Sequence, residues 1–189
     1  MVEVSRTMRV LSEYIAGALR KRLPSEVEER GKLHLLDTLA ALVSGSRLVP
    51  GQRAIDYVKG LGGTKEATVV GTRIVTSAVN AAFANGMFGH ADETDDSHPA
   101  SMTHPGSAIV PAALSMAERE NRNGTALLRA VVLGYDVCAR LTMSLNAMDL
   151  FLRGHHPPCF GDLFGAAAAA GALARLDPQR VRYMLSYTA

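Results

Sequence analysis

The 189-residue sequence contains no tryptophan, and aromatic residues make up only 5% of it. A hydrophobic core must therefore be built mainly from Ala, Leu, Val and Met. An excess of one charge sign is also absent, because 20 Lys and Arg residues face 18 Asp and Glu residues and leave a formal net charge of +2. A charge this small argues against nucleic acid and against an anionic membrane as partners.

Cysteines and long apolar runs are scarce as well. The two cysteines, Cys138 and Cys159, fit neither a CxxC motif nor a metal-ligand spacing. Cys138 falls on the apolar face of a predicted helix, where we expect a small buried hydrophobic side chain. No uncharged apolar run reaches the roughly 20 residues that a membrane span needs, and no secretory signal is recognisable. A cytoplasmic, reducing location is the expectation.

Apolar residues recur at a helical spacing through most of the chain, which predicts an all-α fold. Helices are expected at residues 7–23, 26–44, 50–61, 78–87, 107–122, 125–145, 164–176 and 178–189. Only residues 67–70 resemble a strand. The sequence therefore predicts a single domain of about eight helices over residues 1–189.

Capping residues and apolar faces give finer expectations for four of these helices. Ser25, Ser77 and Thr125 are predicted to be N-caps. A run of five alanines between Gly165 and Gly171 allows close helix packing, so we expect its helix near the centre of the fold. The predicted inner face of the second helix consists of Leu33, Leu36, Leu39, Ala40 and Val43.

Two polar loops, residues 89–107 and 153–165, interrupt the helical pattern. They hold five of the six histidines, and histidine is the commonest general acid or base near neutral pH. The first loop also carries four acids within five residues: Asp92, Glu93, Asp95 and Asp96. Crowded like charges raise one another's pKa, so at least one of these carboxyls is expected to hold a proton near neutrality. Together the loops offer an acid and a base for proton abstraction beside a carboxylate.

Other interpretations of these loops remain open from the residues alone. The acidic run is also typical of a solvated turn, and His90 is placed to cap a helix end. A metal site is a further alternative, because His and Asp are metal ligands. The spacings match no compact template such as HExxH, so we predict no metal.

Longer segments around both loops resemble one enzyme family. The runs "NAAFANGMFGHADETDDSH" and "THPGSAIVPAALSMAE", followed by "GTALLRAVVLGYDVCARL" and "RGHHPPCFGDLFGAAAAAGALARLD", are similar to the pattern of the MmgE/PrpD family. That family includes 2-methylcitrate dehydratase, cis-aconitate decarboxylase and an iminodisuccinate epimerase. The resemblance implies its helical domain, no metal or organic cofactor, and proton transfer at a carbon beside a carboxylate.

The resemblance also assigns roles to individual residues. The leading acid of the family motif matches Glu93, with Asp92 as the alternative, and the histidine before Pro-Gly matches His104. The histidine of the second loop that matches the family is His156, while Pro158 stands where threonine is usual. The Asp-Asp-Thr of the family corresponds to Asp95, Asp96 and Ser97.

These assignments lead to a mechanistic hypothesis. His104 and His156 are the expected general acid and base, tuned by Asp96 or Glu93. Arginine suits bidentate carboxylate recognition, and Arg73 and Arg153 are near the loops in sequence. The predicted substrate-binding residues are Asp92, Asp95, Ser97, Arg73, Arg153 and His155.

Members of the family are more than twice this long and have a second, α+β domain. The last predicted helix is still apolar at Ala189, so we expect more protein to follow, either in the same chain or as a partner chain, and a homodimer. The predicted function is a cofactor-independent dehydratase, decarboxylase or epimerase for a small di- or tricarboxylate such as 2-methylcitrate. If a partner chain supplies the second domain, this chain is one half of a split enzyme. The alternative is a non-catalytic helical subunit that scaffolds or regulates a catalytic partner.

Overall fold

Nine α-helices, one 3-10 turn and one small β-hairpin make up residues 4–189, the part of the chain that the computed structural model describes. The helices are α1 Arg6–Gly17, α2 Ser25–Gly45, α3 Val49–Leu61, α4 Ala78–Gly89, α5 Pro105–Arg119, α6 Gly124–Ser144, α7 Ala147–Leu152, α8 Pro158–Leu173 and α9 Pro178–Thr188. The 3-10 turn Ala18–Arg20 follows α1, and strands β1 Ala67–Thr68 and β2 Val75–Thr76 pair antiparallel. The all-α prediction is confirmed.

One helix was not predicted, and several helix boundaries differ from the prediction. Helix α7 was not predicted, because it has only six residues and follows Asn146, whose positive φ of 59° interrupts the helical path. Helix α8 begins at Pro158, six residues earlier than expected, since proline is favoured in the first helical turn. Helix α5 begins at Pro105 for the same reason. Among residues 4–189 no helix is long and apolar enough to cross a membrane.

Two of the three predicted N-caps are wrong, whereas Ser77 is confirmed as the N-cap of α4. Helix α2 already includes Ser25, and its N-cap is Pro24, which makes no side-chain capping bond. The cap of α6 is Asn123 rather than Thr125, and its side-chain oxygen accepts a hydrogen bond from the Ala126 N–H at 3.0 Å. Asparagine is the stronger N-cap of the two residues, which explains the choice.

The predicted inner face of α2 is mostly wrong, because of its five residues only Leu39 packs against a hydrophobic cluster. Leu33 and Leu36 are 59% and 65% exposed, and Val43 is 43% exposed. The buried face instead consists of Gly31, Thr38, Ala41, Leu42 and Gly45. Small residues are needed there because α2 packs closely on its neighbours: a Cβ on Gly31 would lie 2.8 Å from Val132 Cγ2. An apolar strip of α2 therefore remains at the surface.

Helices α5, α6 and α8 form the centre of the fold, as the alanine run predicted. Ile109, Val131 and Leu173, one from each helix, are completely or almost completely buried between them. Helices α6 and α8 cross with their backbones in contact, because a Cβ on Gly134 would lie 2.9 Å from the Gly165 carbonyl oxygen. This close crossing fixes the position of α8 relative to the loop between α4 and α5.

The helix crossing leads to a stability prediction. Gly134→Ala should lower the free energy of unfolding by about 2 kcal/mol or more, because the added methyl group also meets Ile109 Cγ2 at 2.5 Å. Gly60→Ala is the matched control, since a Cβ at this helical position meets nothing within 4 Å. It should leave stability unchanged or raise it by up to about 1 kcal/mol. Chemical denaturation of both variants checks this, and equal effects would contradict the packing account.

Candidate active site

The loop between α4 and α5 brings the titratable residues together. His90 is the C-cap of α4 and His104 is the N-cap of α5, so the two helix ends hold both imidazoles next to the loop. Their ring centroids are 5.5 Å apart. Inside the loop, an isolated antiparallel bridge pairs His98 with Thr103. The loop is therefore an ordered structure between two helices rather than a solvated turn.

Asp96 is the most connected residue of the loop. Its side chain is only 9% exposed. Oδ1 accepts the Gly106 N–H at 2.9 Å, and Oδ2 accepts the Tyr135 hydroxyl at 2.8 Å and His34 Nδ1 at 2.9 Å. Burial and the nearby Asp96 carboxylate raise the pKa of Tyr135, so its hydroxyl remains a donor. Three donors from α2, α5 and α6 thus converge on one carboxylate.

This convergence requires a glycine at position 106. A Cβ there would lie 2.7 Å from Asp96 Oδ1 and 2.9 Å from the Tyr135 hydroxyl, and it would clash with Thr38 Oγ1. The first turn of α5 can therefore approach the carboxylate only without a side chain. The glycine of the His-Pro-Gly sequence serves to dock α5 on the acidic loop.

Asp95 supports the two histidines on the other side of the loop. Its side chain is 1% exposed, and Oδ1 lies 2.9 Å from His90 Nδ1 while Oδ2 lies 3.7 Å from His104 Nδ1. The backbone carbonyl of Asp96 lies 3.0 Å from His104 Nδ1. A carbonyl oxygen only accepts hydrogen bonds, so His104 Nδ1 carries the hydrogen and Nε2 is the free nitrogen of the neutral ring.

A second buried acid, Asp162 of α8, lies behind His104. Burial raises the pKa of Asp162 to about 6. The hydrogen bond from Cys138, the charge of His104 and a backbone hydrogen bond from His104 act in the opposite direction and lower this pKa. The Cys138 thiol donates to Asp162 Oδ1 at 3.2 Å. Burial likewise raises the pKa of Cys138 to about 12, so this cysteine is a protonated donor in the core rather than a nucleophile.

A chain of buried polar side chains continues from Cys138 to the loop. The Cys138 thiol lies 3.5 Å from Thr103 Oγ1, which lies 2.7 Å from Ser101 Oγ. Ser101 in turn contacts His98 Nδ1 at 2.7 Å. Ser101, Thr103 and Cys138 are at most 1% exposed, so these bonds fix the loop that ends in His104. Cys138 is buried, as predicted, but it has polar neighbours.

Four of the predicted site residues lie at this junction: Asp92, Asp95, Asp96 and His104. Asp92 accepts hydrogen bonds from Ser44 Oγ and from Thr94 Oγ1. These bonds lower the pKa of Asp92, with the Ser44 bond as the larger cause, so Asp92 is not the carboxyl with a raised pKa that was expected among the four acids. The acid with a pKa near neutrality is Asp162, outside the run.

The other predicted residues lie at the surface. Glu93 is exposed with φ 53°, and Ser97 is exposed one position after Asp96. The remaining four are placed as follows: Arg73 in the turn of the β-hairpin, Arg153 paired with Asp149 at 2.9 Å, His155 edge-on to Phe160, and His156 with Nδ1 3.7 Å from Cys159 Sγ. In residues 4–189 no hydrogen bond or ion pair joins any of these six to Asp95, Asp96 or His104.

Sequence reasoning missed His34, Tyr135 and Asp162. His34 and Tyr135 are 62 and 39 positions from Asp96 in the chain, and nothing in their own helices marks them as partners of the acidic loop. Asp162 had a signal, because it is an acid within an otherwise apolar Gly- and Ala-rich helix. An ionisable residue in such a helix indicates a buried polar contact.

A metal ion has a candidate position among the described residues. His90, Asp95 and His104 each offer one ligand atom, and these atoms lie within 4.8 Å of one another. His and carboxylate ligands suit zinc or iron. The bond from His104 Nδ1 to the Asp96 carbonyl occupies that nitrogen, so only Nε2 of His104 can coordinate an ion without breaking it.

Two surface grooves differ in their relation to the site. A groove of about 1120 Å³ beside α1, α6 and α9 is lined by none of the loop residues. A smaller groove of about 530 Å³ over α2 is lined by His34 and Asp96. The smaller groove therefore opens directly on the acidic loop.

Comparisons with known proteins identify a matching family and several relatives. The model of the "MmgE/PrpD N-terminal domain" matches residues 9–189. A cis-aconitate decarboxylase-like protein, oryM, of Aspergillus oryzae is 30% identical over 161 residues, covering 82% of this chain and 33% of its own length. Cis-aconitate decarboxylase of Aspergillus terreus is 28% identical over 159 residues, covering 82% of this chain and 32% of its own length. The chain spans about a third of these relatives.

The raised pKa of Asp162 predicts a pH-dependent stability. In the unfolded chain the carboxyl titrates near 4, and in the folded protein near 6, so the folded state loses its proton only at higher pH. The free energy of unfolding should therefore fall as the pH rises from about 4 to about 6, by up to about 3 kcal/mol. Asp162→Asn removes this titration.

The measurement is urea denaturation of the wild type and of Asp162→Asn between about pH 4 and pH 8. Relative to the wild type, the variant should gain about 3 kcal/mol across this range. Comparing the two proteins cancels the titration of all other groups. A difference that stays constant with pH would contradict the burial of an ionised Asp162.

Proposed function

Because the chain belongs to the MmgE/PrpD family, whose members include lyases, we propose that it carries the acid–base residues of a dehydratase, decarboxylase or epimerase that acts on a small di- or tricarboxylate. Cis-aconitate is the first candidate substrate, because it is the substrate named for the relatives. 2-Methylcitrate and iminodisuccinate are the further candidates, from the family resemblance.

The orientation of His104 is the observation that carries the proposal. Its Nδ1–H is held by the Asp96 carbonyl at 3.0 Å, which leaves the Nε2 lone pair of the neutral ring free. The His104 side chain is 41% exposed, so a small molecule can reach the imidazole. A histidine with a fixed tautomer and an accessible nitrogen is suited to general-base catalysis.

Asp95 supplies the electrostatic support for this base. When His104 accepts a proton it becomes a cation, and the buried Asp95 carboxylate 3.7 Å from Nδ1 stabilises that charge. The carboxylate is itself held by His90, so it does not need to move during proton transfer. Preorganised charge of this kind lowers the barrier without reorganisation.

In the proposed step, the carbon–hydrogen bond beside a substrate carboxylate breaks and the proton passes to His104 Nε2. In a dehydration the electron pair forms the new carbon–carbon double bond as the hydroxyl group leaves, and the proton held by His104 passes to the hydroxyl, which departs as water. In a decarboxylation the order is reversed, because carbon dioxide leaves first and protonated His104 returns a proton to the carbon. Both reactions use the same imidazole in its two protonation states.

A further protein segment is proposed to complete the site. The relatives are about three times as long as this chain, and His104 and His34 are both half-exposed. Catalytic sites of this kind usually exclude water, which these residues alone do not do. The segment is further sequence of the same protein or a partner chain, and a homodimer is part of the same proposal.

Turnover by His104→Gln tests the proposal. The wild type, His104→Gln and His90→Gln are assayed with cis-aconitate, 2-methylcitrate and iminodisuccinate, alone and mixed with any protein that co-purifies. We expect His104→Gln to lower kcat at least about 100-fold. His90→Gln, which shares the Asp95 contact but leaves His104 in place, should have a smaller effect.

Two outcomes would contradict the proposal in different ways. Equal turnover by the wild type and His104→Gln would exclude His104 as the base. No turnover by the wild type under any of these conditions would favour the alternative, a helical subunit that scaffolds a catalytic partner. Circular dichroism spectra of the variants establish that a loss of turnover is not a loss of folding.

A further inference from the structure

The groove over α2 combines an apolar floor with charged groups at the edge of the site. Leu33, Leu36 and Ala40 line it, and the two leucines are more than half exposed. Its volume of about 530 Å³ is in the range of small-molecule sites. Contiguous exposed apolar side chains with polar residues at their rim are typical of ligand-binding grooves.

His34 projects into this groove from a fixed position. Its Nδ1 is bonded to Asp96 Oδ2 at 2.9 Å, and its ring lies 5.3 Å from that of Tyr135. A surface histidine with no role would remain mobile, whereas this one is held by a carboxylate that is itself 9% exposed. Nδ1 donates to Asp96, so Nε2 is directed away from the carboxylate, and it donates to a bound anion in the imidazolium form of the ring, in which both nitrogens carry hydrogens.

Arg30 lies one helical turn before His34 on the same side of α2. It lines the groove, and within residues 4–189 no hydrogen bond or ion pair occupies its guanidinium group. The neighbouring Lys32, in contrast, is paired with Glu28 and Glu29. A guanidinium group without a partner is suited to bidentate binding of a carboxylate.

Asp37 also lines the groove and would repel an anion. It lies seven residues after Arg30, which corresponds to about 10 Å along the helix axis. His34 lies between the two. A carboxylate held between Arg30 and His34 is therefore on the far side of His34 from Asp37, and the Asp96 charge is already satisfied by three donors.

We propose that Arg30 and His34 form a carboxylate-binding subsite, which holds one carboxylate of the substrate while another part of it reaches His104. Both imidazoles are bonded to Asp96, His34 to its side chain and His104 to its carbonyl, so a single residue sets their separation. The proposal rests on the proposed function for the class of its ligand. It assigns to Arg30 the role that sequence proximity had suggested for Arg73 and Arg153.

The test uses binding of propane-1,2,3-tricarboxylate, an unreactive tricarboxylate, measured by NMR titration of the 189-residue chain. The wild type should bind it with a Kd of about 1 mM or tighter. Arg30→Gln and His34→Gln should each weaken binding about tenfold or more, because each removes a charge-assisted hydrogen bond. Arg30→Lys should restore part of the affinity, and Asp37→Asn should strengthen binding.

Two control variants separate binding from folding. Arg53→Gln removes an exposed arginine of α3 that does not line the groove, and it should bind as the wild type does. Tyr135→Phe removes another donor to Asp96 without changing the groove surface, so it reports any general disturbance of the loop. We expect its Kd to change less than that of His34→Gln.

Three results would overturn the subsite: no binding to the wild type at about 10 mM ligand, unchanged affinity in Arg30→Gln and His34→Gln, or an equal loss in Tyr135→Phe. Turnover of cis-aconitate is measured on the same preparations, alone and mixed with any protein that co-purifies. Turnover with unchanged affinity in both groove variants would reject the subsite and leave the proposed function intact. Groove-dependent binding without turnover would support the subsite and contradict the proposed function.

Discussion

The Asp96 carboxylate is the interaction on which the rest of this site depends. It is nearly buried, and its oxygens accept hydrogen bonds from α2, α5 and α6 through His34, Gly106 and Tyr135. Burying a carboxylate is costly unless donors replace the lost water, and here three of them do. The backbone carbonyl of Asp96 also holds His104. The orientation of the proposed base therefore depends on the same residue as the packing of the three helices.

Asp95 and Asp96 divide the loop into two functional sides. Consecutive side chains point in different directions, so Asp95 contacts His90 and His104 while Asp96 contacts His34 and Tyr135. Each acid thus supports a different part of the site. The first supports the charge of the proposed base, and the second connects that base to the groove over α2. Asp162 is a third acid, behind His104, and burial is the largest of the effects that raise the pKa of Asp162.

The sequence predicted the elements of this site that are local in the chain. The helical periodicity, the alanine-rich helix and the density of His and Asp in residues 89–107 follow from short-range patterns, and the structure confirms the fold and the gathering of Asp95, Asp96 and His104. The contact of His34 with Asp96 spans 62 positions, and no periodicity encodes such a distance. The faces of α2 could not be predicted because leucines and small residues occur on both sides, and only close packing selects the small ones.

The tautomer of His104 tests the central claim most directly. A long-range ¹H–¹⁵N correlation spectrum of the neutral ring distinguishes a protonated Nδ1 from a protonated Nε2. The account predicts that Nδ1 carries the hydrogen, because it donates to the Asp96 carbonyl, and that Nε2 is free to accept a proton. A neutral ring with its hydrogen on Nε2 would contradict the account, since the accessible nitrogen would then be unable to act as a base.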